Sequence, residues 1–337
     1  MLPRRAQLAR ARAVATSALR EYPMSPGRLT FLTHGENTTF RLDCDEGRFL
    51  VRVHRPLRHG RSLDPDVAIG SELTWLRAIA ASTDVGVPEP VETRDGSLTA
   101  TGTGGDWTRV CSVLRWVEGR IVEDSTHQVH FARLGRAMAT LHRQADAWTP
   151  PPGFARLTWD HEAFFGDVMV YGSLRAAECW DLLPRDLAAR FDAVRDRLGP
   201  VIAEDADVGL IHADLHLGNV VHHDRTITLI DFDDSGTGGR LYDVAVALWE
   251  RRDGPAYPVL RDALLTAYRE VRPIDTTHLD DYIAARQVAF DLWYTGTAHV
   301  DPAFADRLDV VHRWSADMLD LLESAPPGTP EAPGPSG

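Results

Sequence analysis

The run from Leu210 to Asp243 reads LIHADLHLGNVV (210–221), HHDR (222–225) and TITLIDFDDSGTGGRLYD (226–243), and it decides how the chain is interpreted. Val208-Gly209-Leu210-Ile211 is a short apolar segment of strand character. Asn219 to His222 and Thr226 to Ile230 are two more, parted by the turn-like His223-Asp224-Arg225, and together they read as a hairpin. Asp214 falls in the loop before that hairpin, Asn219 at its start and Asp231 at its end. A loop carboxylate can orient and deprotonate a hydroxyl. An amide oxygen and a hard carboxylate oxygen suit Mg²⁺, which takes few protein ligands and completes its shell with phosphates and water. This set is what phosphoryl transfer from a Mg-bound nucleotide requires, because a loose transition state leaves mainly charge, alignment and one proton to manage. His212 reads as a hydrogen-bonding brace for the loop rather than a base. Singly, each residue is an ordinary polar loop residue. The pattern His-x-Asp-x4-Asn, followed by a hydrophobic strand ending in Ile-Asp-Phe-Asp, carries the reading.

The segment resembles the catalytic and metal-binding loops of the aminoglycoside phosphotransferase and choline kinase-like family, whose fold is protein-kinase-like. Gly35-Glu36-Asn37-Thr38-Thr39-Phe40 and Ile230-Asp231-Phe232-Asp233-Asp234 resemble most the branch holding homoserine kinase type II and the bacterial stress-response kinases. The likeness spans roughly residues 25 to 322. It implies an α+β, two-lobed protein: a small N-terminal antiparallel sheet with one helix, and a larger, mainly helical C-terminal lobe. It also implies ATP and Mg²⁺ as cofactors, Asp214 as base, and Asn219 and Asp231 as metal ligands.

In such a site a glycine-rich turn covers the phosphates and a third-strand cation, held by a helix carboxylate, grips them. The turn His34-Gly35-Glu36-Asn37-Thr38 lies at that place, with Gly35, Asn37 and Thr38 as candidate phosphate contacts, although an ordinary hairpin turn reads the same way. Arg52 stands at the position of the usual lysine, and Glu72 on the next helix is its partner. The chain contains no lysine: all 36 of its basic residues are arginine. Arginine keeps the charge and can bridge carboxylate and phosphate, with a bulkier and more fixed geometry. Val113-Leu114-Arg115-Trp116-Val117-Glu118-Gly119 resembles the family's hinge, where the backbone at Arg115, Trp116 and Val117 would meet the adenine edge. Asp243 matches the family's aspartate that braces the catalytic loop, and it also suits a plain helix N-cap. Asp233 faces two readings, near a second metal or the substrate, or solvating its loop; strand alternation would put it on the same side as Asp231.

At 337 residues the chain suits two lobes. Its 44% hydrophobic and 25% charged residues are those of a soluble globular protein. No apolar run reaches the length of a membrane span and no signal-peptide pattern opens the chain. A net charge of −13 argues against nucleic acid as a partner and permits cationic substrates. Cys44, Cys111 and Cys179 are too scattered for a metal site or a disulfide framework, so a reducing cytoplasm is expected. The cluster His212, His216, His222 and His223 overlaps the motif and does not read as zinc-binding.

Residues 1–25 are expected to form a first helix on the surface, 26–119 the nucleotide-binding sheet, 120–323 the helical lobe, and 324–337 a disordered tail of Pro, Gly, Ser and Ala. Strands are expected at 29–32, 38–42, 49–54, 91–93, 98–101 and 110–117, and a helix over 66–81 with Ile69, Leu73, Leu76 and Ile79 on one face. Trp159, Asp160, Trp180, Asp181, Trp249, Glu250, Trp293 and Tyr294 place aromatics beside acids, which would welcome an ammonium-bearing acceptor. The expected activity is phosphoryl transfer to a hydroxyl of a small molecule: an amino alcohol, a hydroxy amino acid or an aminoglycoside-like sugar. A protein Ser/Thr kinase of the stress-response type is the alternative. An inert nucleotide-binding regulator, from another class, has Arg52 and the thin glycine turn in its favour and the intact set of Asp214, Asn219 and Asp231 against it. Oligomeric state and the choice of ATP over GTP are not legible in the sequence.

Overall fold

A computed structural model describes residues 3–35, 37–55, 63–166 and 174–324. Five antiparallel strands, β1 (Arg28–His34), β2 (Thr38–Cys44), β3 (Gly47–Val53), β4 (Thr99–Gly104) and β5 (Trp107–Arg115), form one sheet in the order β1-β2-β3-β5-β4. Helix α1 (Arg4–Ala18) lies over one face. Its Ala11, Val14, Ala15 and Ala18 recur at helical spacing and pack with Phe40, Leu42, Val51 and Val113, so strand alternation and helix period meet in one small core. Gly102 lets the helix come close, since a Cβ there would stand 2.1 Å from the Val14 carbonyl oxygen. Helix α2 (Pro65–Ser82) starts with Asp64 capping the Asp66 N–H and Pro65 in its first turn. Its Ile69, Leu73, Leu76 and Ile79 join the main core.

Residues 91–93, expected as a strand, instead form a loop closed by the Thr93 N–H on the Ser97 carbonyl and by the Asp95 side chain. Val91 N–H still bonds the Val113 carbonyl of β5, but Asp95-Gly96-Ser97 just beyond supplies turn bonds that end the pairing there.

The rest is mainly helical: α3 (Gln128–Ala147), α4 (His161–Phe165), α5 (Ala176–Leu182), α6 (Arg185–Glu204), α7 (Arg240–Trp249), α8 (Tyr257–Arg269), α9 (Leu279–Val300), α10 (Pro302–Ala305) and α11 (Leu308–Ser324). Ser324, read from sequence as the start of a tail, closes α11; residues 325–337 lie outside the described residues. Two short sheets position the acidic loops. One has the order β10-β9-β6, from β6 (Arg120–Ile121), β9 (Val220–His223) and β10 (Thr226–Leu229). The other has the order β7-β11-β8, from β7 (Leu157–Trp159), β8 (Val208–Ile211) and β11 (Gly236–Gly239). Since β8 and β11 pair antiparallel with Ile211 opposite Gly236, the chain from 212 to 235 leaves and re-enters at one point. The β9–β10 hairpin folds that excursion back on itself, bringing Asp214 and Asp231 to the same end. The result is the α+β, two-lobed arrangement implied by the resemblance. No helix among the described residues is long and apolar enough to cross a membrane.

Candidate active site

Asp243, in the first turn of α7 and fully buried, organises the first acidic loop. Its Oδ2 accepts from the His212 N–H at 2.9 Å, its Oδ1 from the Ala213 N–H at 2.6 Å, and His142 Nε2 donates to Oδ2 at 3.0 Å. Burial would raise the Asp243 pKa, but His142 and these donors outweigh it and hold the carboxyl below its usual range. Ala213 is bent into the left-handed region at φ 67°, which turns the next residue, Asp214, outward to the cleft. His212 is buried, donates from Nε2 to the Ile230 carbonyl at 3.0 Å and packs its ring on Phe232 at 4.5 Å. It therefore ties the Asp214 loop to the Asp231 loop, and burial keeps its imidazole pKa low.

Asp214 is held on both oxygens. Oδ1 accepts from Arg286 Nη2 at 2.6 Å and Oδ2 from Asn219 Nδ2 at 3.0 Å. Burial pushes this carboxyl up, yet the Arg286 charge prevails and leaves it well below the ordinary carboxylate range. Asn219 also donates Nδ2 to the Asp214 carbonyl at 2.9 Å, so its amide nitrogen is spent and its oxygen is the atom left to a cation. Asp231 is not part of a strand. It sits at φ 64° before the turn Phe232–Asp234, so the strand alternation expected to align it with Asp233 does not operate, although both line the cleft. Desolvation by the enclosing walls, then the nearby Asp233 charge, push the Asp231 pKa up to about 7 against the pull of Arg52. Its carboxylate accepts no hydrogen bond from the described residues. Asp231 lines the cleft, whereas Asn219 is buried and is not among its lining residues; a crowded, under-neutralised carboxylate in such a cleft fits a hard divalent cation.

Arg52 Nη1 donates to Glu72 Oε1 at 2.6 Å and to Asp233 Oδ1 at 3.0 Å, all three side chains being largely buried. Asp233 Oδ2 in turn accepts from Asn37 Nδ2 at 2.6 Å. Asp233 thus connects the turn after β1 with the third strand. Arg156, which drew no attention in the sequence, clamps the Asp231 turn by donating to the carbonyls of Phe232, Asp233 and Ser235.

These groups open into one cleft of about 1000 Å³ between the N-terminal sheet and the helices. Gly35, Asn37, Arg52, Arg115, Trp116, Val117, Asp214, Asp231 and Asp233 all line it. Glu72 reaches it through Arg52, and His212 and Asp243 support it from below. Thr38 does not line the cleft: alternation along β2 turns Thr39 inward, and the buried Thr38 hydroxyl bonds His34 Nδ1 at 2.7 Å. In the hinge, the N–H groups of Arg115 and Trp116 are engaged by the carbonyls of Glu89 and Arg48, which leaves the Val117 N–H without a partner among the described residues.

On the helical side the cleft is walled by Trp249, Phe290, Trp293 and Trp314, and Glu250 and Asp234 line the same cleft. Trp249 stacks with Phe290 and Trp314 at centroid distances of 5.0 and 4.9 Å. Arg286, Ala289, Phe290 and Trp293 come from one face of α9. Of the aromatic and acidic residues noted in the sequence, Trp159, Trp249, Glu250 and Trp293 line the cleft, whereas Trp180 packs against Phe191 elsewhere. Arg286 and Trp314 were missed, since a single arginine or tryptophan in an apolar helix carries no local signal of what it faces. The histidine cluster does not assemble: His212 is a buried brace, His216 lines the cleft, and His222 is buried beside His130.

A family model described as "Phosphotransferase enzyme family" matches residues 29–277. The chain is 25% identical over 251 residues to an amicoumacin kinase of Bacillus subtilis, covering 73% of this chain and 69% of that one. It is 28% identical over 243 residues to a homoserine kinase of Rhodospirillum rubrum, covering 71% and 70%. Among solved structures, a microcompartment-associated aminopropanol kinase superimposes with a TM-score of 0.76 at 28% identity, over 92% of this chain and 96% of that one. With its two-lobed kinase-like fold and these relatives, the chain belongs to the phosphotransferase enzyme family and is an ATP-type kinase by descent.

Proposed function

We propose that this enzyme transfers the γ-phosphoryl group of ATP to a hydroxyl of a small, ammonium-bearing molecule, an amino alcohol or a hydroxy amino acid. Asp214 would receive the acceptor's proton as the new P–O bond forms and the bond to the ADP oxygen breaks. Asn219 through its amide oxygen and Asp231 through its carboxylate would hold Mg²⁺, which when bound neutralises phosphate charge. Arg52, fixed by Glu72, would ground the phosphates. The Val117 N–H is our choice for the adenine edge, between the apolar side chains of Leu50 and Ile121 that line the same cleft. A kinase drawing on the cellular ATP pool would work in the cytoplasm.

One observation supports the acceptor class above the others: the aromatic wall of Trp249, Phe290, Trp293 and Trp314 shares the Asp214 cleft with Glu250 and Asp234. Aromatic faces and carboxylates attract a cation together, and Trp is the strongest of the rings. A neutral alcohol would gain only the apolar contact. The kinases of homoserine and aminopropanol among the relatives act on hydroxyls of molecules that carry an amine, in keeping with this reading. The test is ADP release with a panel of amino alcohols and hydroxy amino acids, each paired with an isosteric diol lacking the amine, and with a generic protein substrate. Turnover on an amine-bearing member well above its diol is expected. Equal turnover on the diols, or phosphate incorporated only into protein, would sink the proposal.

A further inference from the structure

Among the described residues, four arginines line the cleft: Arg52, Arg55 and Arg115 from the sheet side, and Arg286 alone from the helical side. Arg286 reaches from α9 to Asp214 Oδ1 at 2.6 Å, with its guanidinium carbon 5.1 Å over the Trp249 ring. The other oxygen of Asp214 is taken by Asn219 Nδ2 at 3.0 Å, with His216 Nε2 3.7 Å away. Both oxygens are thus engaged, and Oδ1 is the one held from the helical side, where Trp249, Phe290 and Trp293 line the cleft. Among the described residues Arg286 Nε is buried without a hydrogen-bond partner, so one charge-assisted bond, one ring face and the nearby Tyr242 side chain keep the guanidinium in place.

Resting on the reading of Asp214 as the base, we propose that Arg286 is a specificity-determining guard. It keeps Asp214 Oδ1 from water and yields it to an organic acceptor seated on the Phe290 and Trp293 face of α9, thereby setting the ratio of phosphoryl transfer to ATP hydrolysis.

The physical asymmetry lies in what each acceptor brings. Water offers only hydrogen bonds, which Arg286 already supplies to Asp214 in charge-assisted form. An organic acceptor adds apolar and cation–π contact with the ring wall, which offsets the cost of displacing the guanidinium. In both reactions the bond from the γ-phosphorus to the β,γ-bridging oxygen breaks. In transfer the acceptor oxygen bonds the phosphorus and its proton goes to Asp214. In hydrolysis a water oxygen does so, and the products are ADP, phosphate and a proton.

The experiment measures phosphate release from Mg-ATP without acceptor, and transfer to an accepted amino alcohol, for wild type, Arg286→Met and Arg286→Lys. Methionine keeps the stem length and removes the cation. R286M should raise hydrolysis about tenfold or more, within the range over which access to a general base alters rates, while transfer does not rise. R286K, with a cation restored, should regain most of the wild-type ratio. Hydrolysis and transfer falling together in R286M, or an unchanged ratio, overturns the guard and leaves Arg286 a structural residue. If thermal melting shows R286M unfolded, Arg286→Gln carries the same comparison. A wild type that transfers to no alcohol defeats the reading beneath this inference, whereas a wild type that transfers while R286M keeps its ratio defeats the inference alone.

Discussion

Arg52 and Asp233 meet at 3.0 Å, which joins the third strand of the N-terminal sheet to the turn that carries Asp231. The same arginine nitrogen holds Glu72 at 2.6 Å, so one guanidinium balances two carboxylates that burial would otherwise penalise. In the proposed mechanism, nucleotide phosphates would compete with Asp233 for this cation.

Arg52→Ala should therefore cost about 3–5 kcal/mol of stability, because it strands buried charge rather than removing a surface pair. Arg52→Lys keeps the charge but replaces a fork by a point. It should fold close to normally and bind Mg-nucleotide about tenfold more weakly, a loss of about 1.4 kcal/mol. Chemical denaturation and nucleotide titration check the two variants.

Asp243 accepts three hydrogen bonds at zero exposure. Asp243→Ala leaves His142 and two backbone N–H groups without their acceptor and should destabilise the protein by about 3–5 kcal/mol. Turnover should fall further than stability accounts for, since the bend at Ala213 that aims Asp214 loses its anchor. Comparing the activity of the folded fraction with wild type measures this.

The loop from 212 to 235 was legible because its residues obey local rules: short apolar strands, a turn tripeptide and polar residues at fixed offsets. The hairpin Val220–His223 with Thr226–Leu229 and the strand Val208–Ile211 follow from them. Strand β11 was not legible, because Gly236-Thr237-Gly238-Gly239 has almost no strand propensity and is extended only by its neighbours β7 and β8. Arg156 and Arg286 escaped for a related reason. Each acts on residues far along the chain, Arg156 on carbonyls 76 to 79 positions later and Arg286 on Asp214 at 72 positions' separation, and no local pattern encodes such a meeting.

Asp231 is disfavoured as a free carboxylate, with its pKa raised to about 7. In an unfolded chain it ionises near pH 4, so between roughly pH 4 and 7 the metal-free fold loses stability as pH rises. Asp231→Asn should remove that slope and stabilise the metal-free protein at pH 8, while weakening Mg-nucleotide binding. In wild type, Mg-nucleotide affinity should decline as pH falls below 7, where a proton competes with the metal. Urea titrations with EDTA and nucleotide binding across pH separate the two effects.

His222 is buried, bonds nothing through either ring nitrogen among the described residues and has its pKa lowered to about 4, chiefly by burial and then by His130. The folded state keeps it neutral, while the unfolded chain takes up a proton below about pH 6.5. Its contribution is thus constant above that pH and lost as pH falls from about 6.5 to 4. His222→Phe, which keeps a ring against His130, should flatten that part of the stability profile.

The most direct measurement is single-turnover transfer from γ-labelled ATP with Mg²⁺ to an accepted amino alcohol, comparing wild type with Asp214→Asn at matched nucleotide saturation. Asparagine keeps the shape and hydrogen-bond reach of Asp214 but cannot take the proton. A rate lowered by about 10²–10⁴ with nucleotide affinity nearly unchanged is the expected result. A D214N rate close to wild type would contradict the account.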